Sequence, residues 1–203
     1  MVNLLQICMA LNSYKYRFKS IVMSFDFAGI VFRRRNFLYE QVYAMRITIV
    51  CVGKIKEKFY RDAVDEYAKR LSRYCKFEII EVADEQTPDK AGELLMDSIK
   101  EKEAGRILSK IKEDAFVCTL EINGRKLTSE KFAEWIEKTT VSGKSHIVFV
   151  IGGSLGLHDS VCQRSDFQLS FSDMTFPHQL MRVILSEQIY RAYRIIQNEP
   201  YHK

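Results

Sequence analysis

Ser154 stands among glycines in Gly152-Gly153-Ser154-Leu155-Gly156, directly after the apolar run "HIVFVI" at 146–151. The spacing matches G-x-S-x-G, a turn that presents a serine nucleophile at the end of a strand. That chemistry also needs an acid and a histidine further along, and Asp166, Asp173, His178 and His202 are available. Only 47 residues follow Gly156, however, the next helical piece is short, and no H-G-G-G type oxyanion loop precedes the turn. No Gly-Lys-Ser/Thr follows the glycines, which excludes a P-loop. G-x-G-x-x-G is absent and the glycines follow the fourth strand, which excludes the dinucleotide fingerprint. Two readings remain open. The stretch is either a simple tight turn or a place where bare backbone approaches a flat ligand at the carboxyl end of a parallel strand.

A second stretch, "LSFSDMTFPHQLMRVILSEQIYRAYRI" (169–195), reads as strand, polar loop and long helix. Pro177 is expected in the first turn of that helix, where its fixed φ is favourable and its missing amide costs nothing. The loop Phe171 to Phe176 is rich in backbone amides, hydroxyls and two aromatic rings. Two such loops, both at strand ends, could clamp a nucleoside between them.

These loops need a frame, and hydrophobic periodicity supplies one from Met45 onward. "RITIVCVG" (46–53) reads as a buried strand. "EKFYRDAVDEYAKRLSRY" (57–74) reads as a helix with Phe59, Ala63, Tyr67 and Leu71 on its inward stripe. "KFEIIEVA" (76–83) is a strand. Thr87-Pro88-Asp89 introduces a charged helix to about Lys112, with Leu94, Leu95, Ile99, Ile107, Leu108 and Ile111 as its apolar positions. "AFVCTLEI" (115–122) is the third strand, followed by a turn at Asn123-Gly124. A helix from Ser129 to about Thr140 turns Phe132, Trp135 and Ile136 inward. The fourth strand follows, then a fifth at 166–172, and the chain closes with the helix after Pro177. Alternating strands and helices predict an α/β fold with a mostly parallel sheet covered on both faces.

Charge is placed unevenly. Residues 1–44 hold six basic and two acidic residues, whereas the remaining 159 hold 25 basic and 24 acidic ones. So balanced a body does not draw nucleic acid by bulk electrostatics. Five cysteines lie far apart without a C-x-x-C pair, which argues for buried thiols over a metal site. No run has the length of a membrane span. Residues 1–44 have no clean period. They are expected to be a disordered extension, a transit peptide or a mis-assigned start, with the working polypeptide beginning at Met45; native peptides from 1–44 would overturn the last reading.

Five stretches carry a resemblance in order along the chain: "VGKIKEK", "TLEINGR", "FVIGGSLGLH", "LSFSDMTFPHQLMRVILSEQIYRAYRI" and the terminal "PYHK". Residues 45–203 resemble the SPOUT-class RNA methyltransferases, and among them the YbeA-like ribosomal large-subunit pseudouridine N-methyltransferases. Residues 1–44 have no counterpart there. The resemblance implies a C-terminal trefoil knot, an exception to ordinary unthreaded topology that periodicity does not reveal. It implies an S-adenosyl-L-methionine pocket lined by Leu120 and Gly152, with Phe171, Ser172, Asp173, Met174, Thr175 and Phe176 wrapping adenine and ribose. It further implies methylation of a ring nitrogen, position 3, of a pseudouridine in large-subunit ribosomal RNA, without a metal or a membrane, in the cytoplasm.

A ring nitrogen must shed its proton before it takes a methyl group. His178, Arg182, Tyr201 and His202 are the candidates for base or RNA contact. Arg182 could instead pair with Glu187, and His178 could merely begin the helix. The last helix carries Met181, Leu185, Ile189, Ala192 and Ile196 on one stripe, widened by Val183, Ile184, Tyr190 and Tyr193. Such a surplus apolar face is expected to pack against a second copy, and SPOUT proteins are similar in being homodimers. A small, nearly neutral dimer would meet its target on the ribosome rather than on naked RNA. The competing readings are a non-catalytic knotted nucleotide-binding or ribosome-associated module, and a SPOUT methyltransferase acting on tRNA. S-adenosylmethionine binding and methyl transfer separate enzyme from module.

Overall fold

The computed structural model describes residues 45–88 and 90–200. Five strands, β1 (Arg46–Val52), β2 (Lys76–Val82), β3 (Phe116–Lys126), β4 (His146–Ile151) and β5 (Phe167–Ser170), form one sheet in the order β2-β1-β4-β3-β5. Every pairing is parallel. Between them run α1 (Lys58–Leu71), α2 (Glu93–Leu108), α3 (Ser129–Val141) and the short α4 (Asp159–Arg164), and α5 (His178–Ile196) ends the fold.

The side-chain alternation of the central strands divides the core in two. Ile47, Ile49 and Cys51 of β1, with Ile147, Phe149 and Ile151 of β4, face α1, α3 and α5. Val50 and Val52 of β1, with Val148 and Val150 of β4, face α2 and α4. The larger side chains thus meet the three-helix layer and the valines meet the two-helix layer. Both faces being apolar, β1 and β4 read as continuous hydrophobic runs, as a sheet covered on both sides requires. Each fully buried isoleucine or phenylalanine contributes roughly 1.5–3 kcal/mol, so these two strands anchor the sheet and the half-exposed β2 adds less.

Several elements depart from the periodicity. Phe59, expected inward, is 61% exposed, whereas Leu71 is buried and Tyr67 packs against the core as expected, and Val64 is buried in addition. The second helix starts at Glu93 rather than near Asp89, ends at Leu108, and leaves Leu94 and Leu95 in solvent; Ile99, Ala104 and Ile107 make its buried face. Charged residues are scattered around this helix, so its amphipathic signal is weak and the first turn follows the loop rather than the core. The expected turn at Asn123-Gly124 lies inside β3. There the ladder to β5 slips, with Leu169 opposite both Leu120 and Arg125. A Cβ on Gly124 would come within 2.7 Å of the Leu169 carbonyl carbon, so the glycine serves strand-to-strand approach across a bulge.

Pro177 proves to be the N-cap of α5, one position ahead of the first turn, and its carbonyl accepts the Met181 amide at 3.0 Å. The extended ψ of 134° at Pro177 turns the chain from the loop into the helix. From there α5 packs along α1 and α3, beneath β1 and β4. The segment between β5 and α5 therefore has to cross the carboxyl ends of the sheet. Among the described cysteines, Cys51, Cys75 and Cys118 are buried, and burial pushes the Cys51 and Cys75 thiols up to about 12. They are core-filling thiols, as their spacing suggested.

Candidate active site

The glycine stretch is a tight turn that also bares its backbone to a cavity. The Gly156 amide donates to the Gly153 carbonyl at 3.2 Å, and Gly156 takes a φ of +81°, which a side chain would resist. A Cβ on Gly152 would lie 2.8 Å from the Gly156 carbonyl carbon, so the turn closes this tightly only without a side chain there. Ser154 lies on the cavity wall, yet forms no hydrogen bond with a histidine among the described residues. A nucleophile without a base is not activated, and the serine-hydrolase reading ends there.

The cavity measures about 340 Å³, within the ~300–1,000 Å³ typical of small-molecule sites. Three segments build it: Leu120 to Ile122 in the middle of β3, beside the bulge, the turn from Ile151 to Leu157 at the carboxyl end of β4, and the loop Phe171 to His178 after β5. This is where open parallel sheets bind ligands, because loops there diverge beyond the strand ends. The loop holds its own shape. Ser170 Oγ donates to the Ser172 carbonyl at 3.2 Å, and the Met174 amide donates to Ser172 Oγ at 3.0 Å.

Leu120, Gly152, Phe171, Ser172, Met174, Thr175 and Phe176, all singled out from sequence for cofactor binding, line this one cavity. Asp173 does not: it points outward and forms an ion pair with Lys126. Of the residues considered for chemistry, His178 is on the wall and Arg182 is not. Tyr201 and His202 lie outside the described residues, as does the stretch 1–44. Glu121, Ile122, Leu157 and Met181 also line the cavity and were not anticipated. Two of these simply continue β3 past the residue that was named, and Leu157 follows the glycine turn. Burial raises the Glu121 carboxyl, which accepts from Cys162 Sγ at 3.2 Å.

Arg182 departs from the expected contacts. Its side chain is wholly buried, and it pairs with Glu81 at 2.8 Å rather than with Glu187. The same guanidinium donates to the carbonyls of Val52 and Gly53, at 2.7 and 2.8 Å. So enclosed a group holds strand ends together and does not reach an RNA. His178 stands one turn earlier on α5, over Gly53; a Cβ there would lie 3.5 Å from His178 Nε2 and 3.7 Å from Asp84 Cγ. Burial, then the Arg182 charge, lowers the His178 imidazole from its ordinary 6.5; Asp84 opposes this and Lys56 adds to it. The ring is therefore neutral near pH 7, with a nitrogen able to accept a proton. No group of three or more metal-ligating side chains occurs among the described residues.

A family model described as "Predicted SPOUT methyltransferase" matches residues 45–202. The chain is 59% identical over 159 residues to ribosomal RNA large subunit methyltransferase H 1 of Clostridium perfringens strain SM101, covering 78% of this chain and 100% of the relative. The ribosomal RNA large subunit methyltransferases H of Clostridium beijerinckii and of Clostridium botulinum strain Kyoto are 57% and 58% identical, with the same coverage. The chain belongs to the SPOUT methyltransferase family.

Proposed function

We propose that this protein methylates position 3 of a pseudouridine in large-subunit ribosomal RNA, using S-adenosylmethionine, as a cytoplasmic homodimer acting on the ribosome. The observation that carries the reading is a cavity lined by both the 152–156 turn and the 171–177 loop. Its wall is largely apolar side chain and bare backbone, which suits a purine ring read through main-chain edges. The tight approach of Gly152 to Gly156 leaves backbone where a side chain would intrude. Relatives nearly 60% identical, covered end to end and named as ribosomal RNA methyltransferases, support the substrate class. Family membership supports a trefoil knot formed where the 171–177 crossover carries the chain from β5 to α5.

Leu120, Gly152 and the loop Phe171, Ser172, Met174, Thr175 and Phe176 would hold the cofactor, whose sulfonium supplies an electrophilic methyl group. The protein's own contribution is alignment of the ring nitrogen with that methyl group. His178, neutral and on the wall, accepts the imide proton or orients the ring; Tyr201 and His202 are proposed as RNA contacts. Arg182, one turn further on, ties the start of α5 to the ends of β1 and β2. Assembly as a homodimer is supported by apolar residues left uncovered on two helices that pack side by side. Phe59 of α1 is exposed, and Val183 and Ile184 of α5 are only half-buried. No described helix is long and apolar enough to cross a membrane.

The test is mass spectrometry of ribosomal RNA from a deletion strain. One pseudouridine should lose a methyl group and regain it on complementation. A modification pattern identical to that of the parent strain overturns the reading.

A further inference from the structure

The β1–α1 turn, Gly53 to Glu57, is held far more firmly than a surface connection needs. The Gly53 amide donates to the Val82 carbonyl at 2.8 Å, and the Gly53 carbonyl accepts from Arg182 at 2.8 Å. The Ile55 amide donates to Glu81 Oε1 at 2.9 Å. The Lys56 amide donates to Gln179 Oε1 at 2.7 Å, and the Lys56 carbonyl accepts from Arg61 at 3.4 Å. Water would satisfy these groups equally well in an idle loop. Two of the clamps, Gln179 and Arg182, come from the first turns of α5, the same turns that present His178 at the cavity wall.

What the pinned turn displays is positive charge. Ile55 is half-buried while Lys54 and Lys56 stand exposed on either side of it. Lys58 is neutralised by Asp62 at 2.6 Å, but neither Lys54 nor Lys56 has an ion-pair partner among the described residues. The body from Met45 onward is nearly neutral, so a polyanion is not gathered by overall charge and must be met by placed cations.

Resting on the methyltransferase reading, we infer that Lys54 and Lys56 are an RNA-phosphate grip, held at a fixed offset from His178 so that the backbone flanking the target nucleotide is caught beside the cofactor cavity. Phosphate contacts set register and orientation while the cavity reads the base. A rigid mount means that little ordering is left to be done when RNA arrives.

The experiment measures methyl transfer to assembled ribosomes from a strain lacking the enzyme, over about 50–200 mM salt. Wild type is compared with K54Q/K56Q and K54R/K56R, after circular dichroism and gel filtration show that each variant keeps its fold and assembly. The glutamine pair is expected to raise KM for the ribosomes ~10-fold with kcat little changed, and to lower the salt slope by about 1–2. S-Adenosylmethionine affinity should stay at the wild-type value, and the arginine pair should restore KM. Methylation by wild type together with an unchanged KM and salt slope in the glutamine pair overturns the grip and leaves the methyltransferase reading standing. No methylation by wild type overturns both.

Discussion

Arg182 and Glu81 meet at 2.8 Å where the first turns of α5 cross the carboxyl ends of β1 and β2, with the guanidinium fully enclosed and the carboxylate side chain 32% exposed. Through this pair the helix that begins at His178 is tied to the sheet it covers. The asymmetry matters, because only one partner has been removed completely from water.

Replacing Arg182 with methionine should therefore be severe. It leaves Glu81 and the carbonyls of Val52 and Gly53 without their donor, and breaking a buried pair costs about 3–5 kcal/mol. Glu81→Gln should be costly as well, since it strips the counter-charge from a guanidinium wholly removed from water, although glutamine still accepts a hydrogen bond. Urea denaturation of the two variants checks this; wild-type stability in either would contradict it.

His178 and His146 both have imidazoles held below 6.5, with burial the first cause in each. Below pH 6.5 the unfolded chain takes up protons that the folded protein still refuses. Stability contributed by the neutral rings is thus present above pH 6.5 and lost as pH falls through their lowered values. His178→Gln should flatten part of this loss in thermal melts between pH 7 and pH 5. If His178 accepts the imide proton, the acid limb of kcat should also lie below pH 6.5 and vanish in the variant.

Gly152→Ala places a methyl group against the Gly156 carbonyl, where backbone has no room to give. Overpacking of this kind costs ~1–3 kcal/mol. Because the strain falls on the cavity wall, S-adenosylmethionine affinity should drop by roughly 5–100-fold. Calorimetry reads it directly, and an unchanged Kd would remove the turn from the site.

Glu103 lies behind the same turn, 5% exposed, accepting the Glu85 amide at 3.0 Å. Burial raises its carboxyl, with Asp84 and Glu85 adding to the effect and the Glu85 amide and Arg106 opposing it. A raised acid favours the folded state at low pH, and that contribution is lost as pH rises through the folded value. Glu103→Gln should therefore raise Tm at pH 7 by about 2–4 °C and leave it unchanged at pH 4. A lower Tm at pH 7 would show that the carboxylate's hydrogen bond outweighs its desolvation.

Much of this protein was legible from its residues. The apolar strands "RITIVCV" and "HIVFVI", the inward set Phe132, Trp135 and Ile136 of α3, and the stop and start around Pro177 placed the parallel sheet and its helices, because strand and helix periods are local properties. The two loops at strand ends were also visible, since glycine pairs and a proline punctuate the chain wherever they occur. Tertiary structure alone decided which of two faces a marginal helix buries. It turned Phe59, Leu94 and Leu95 outward and folded Asn123-Gly124 into a bulge. It also chose partners. Sequence spacing offered Glu187 to Arg182 at i,i+5, whereas the sheet brought Glu81 from 101 residues away. Pairing across such a separation depends on how strands order themselves in space, and no window along the chain contains that information.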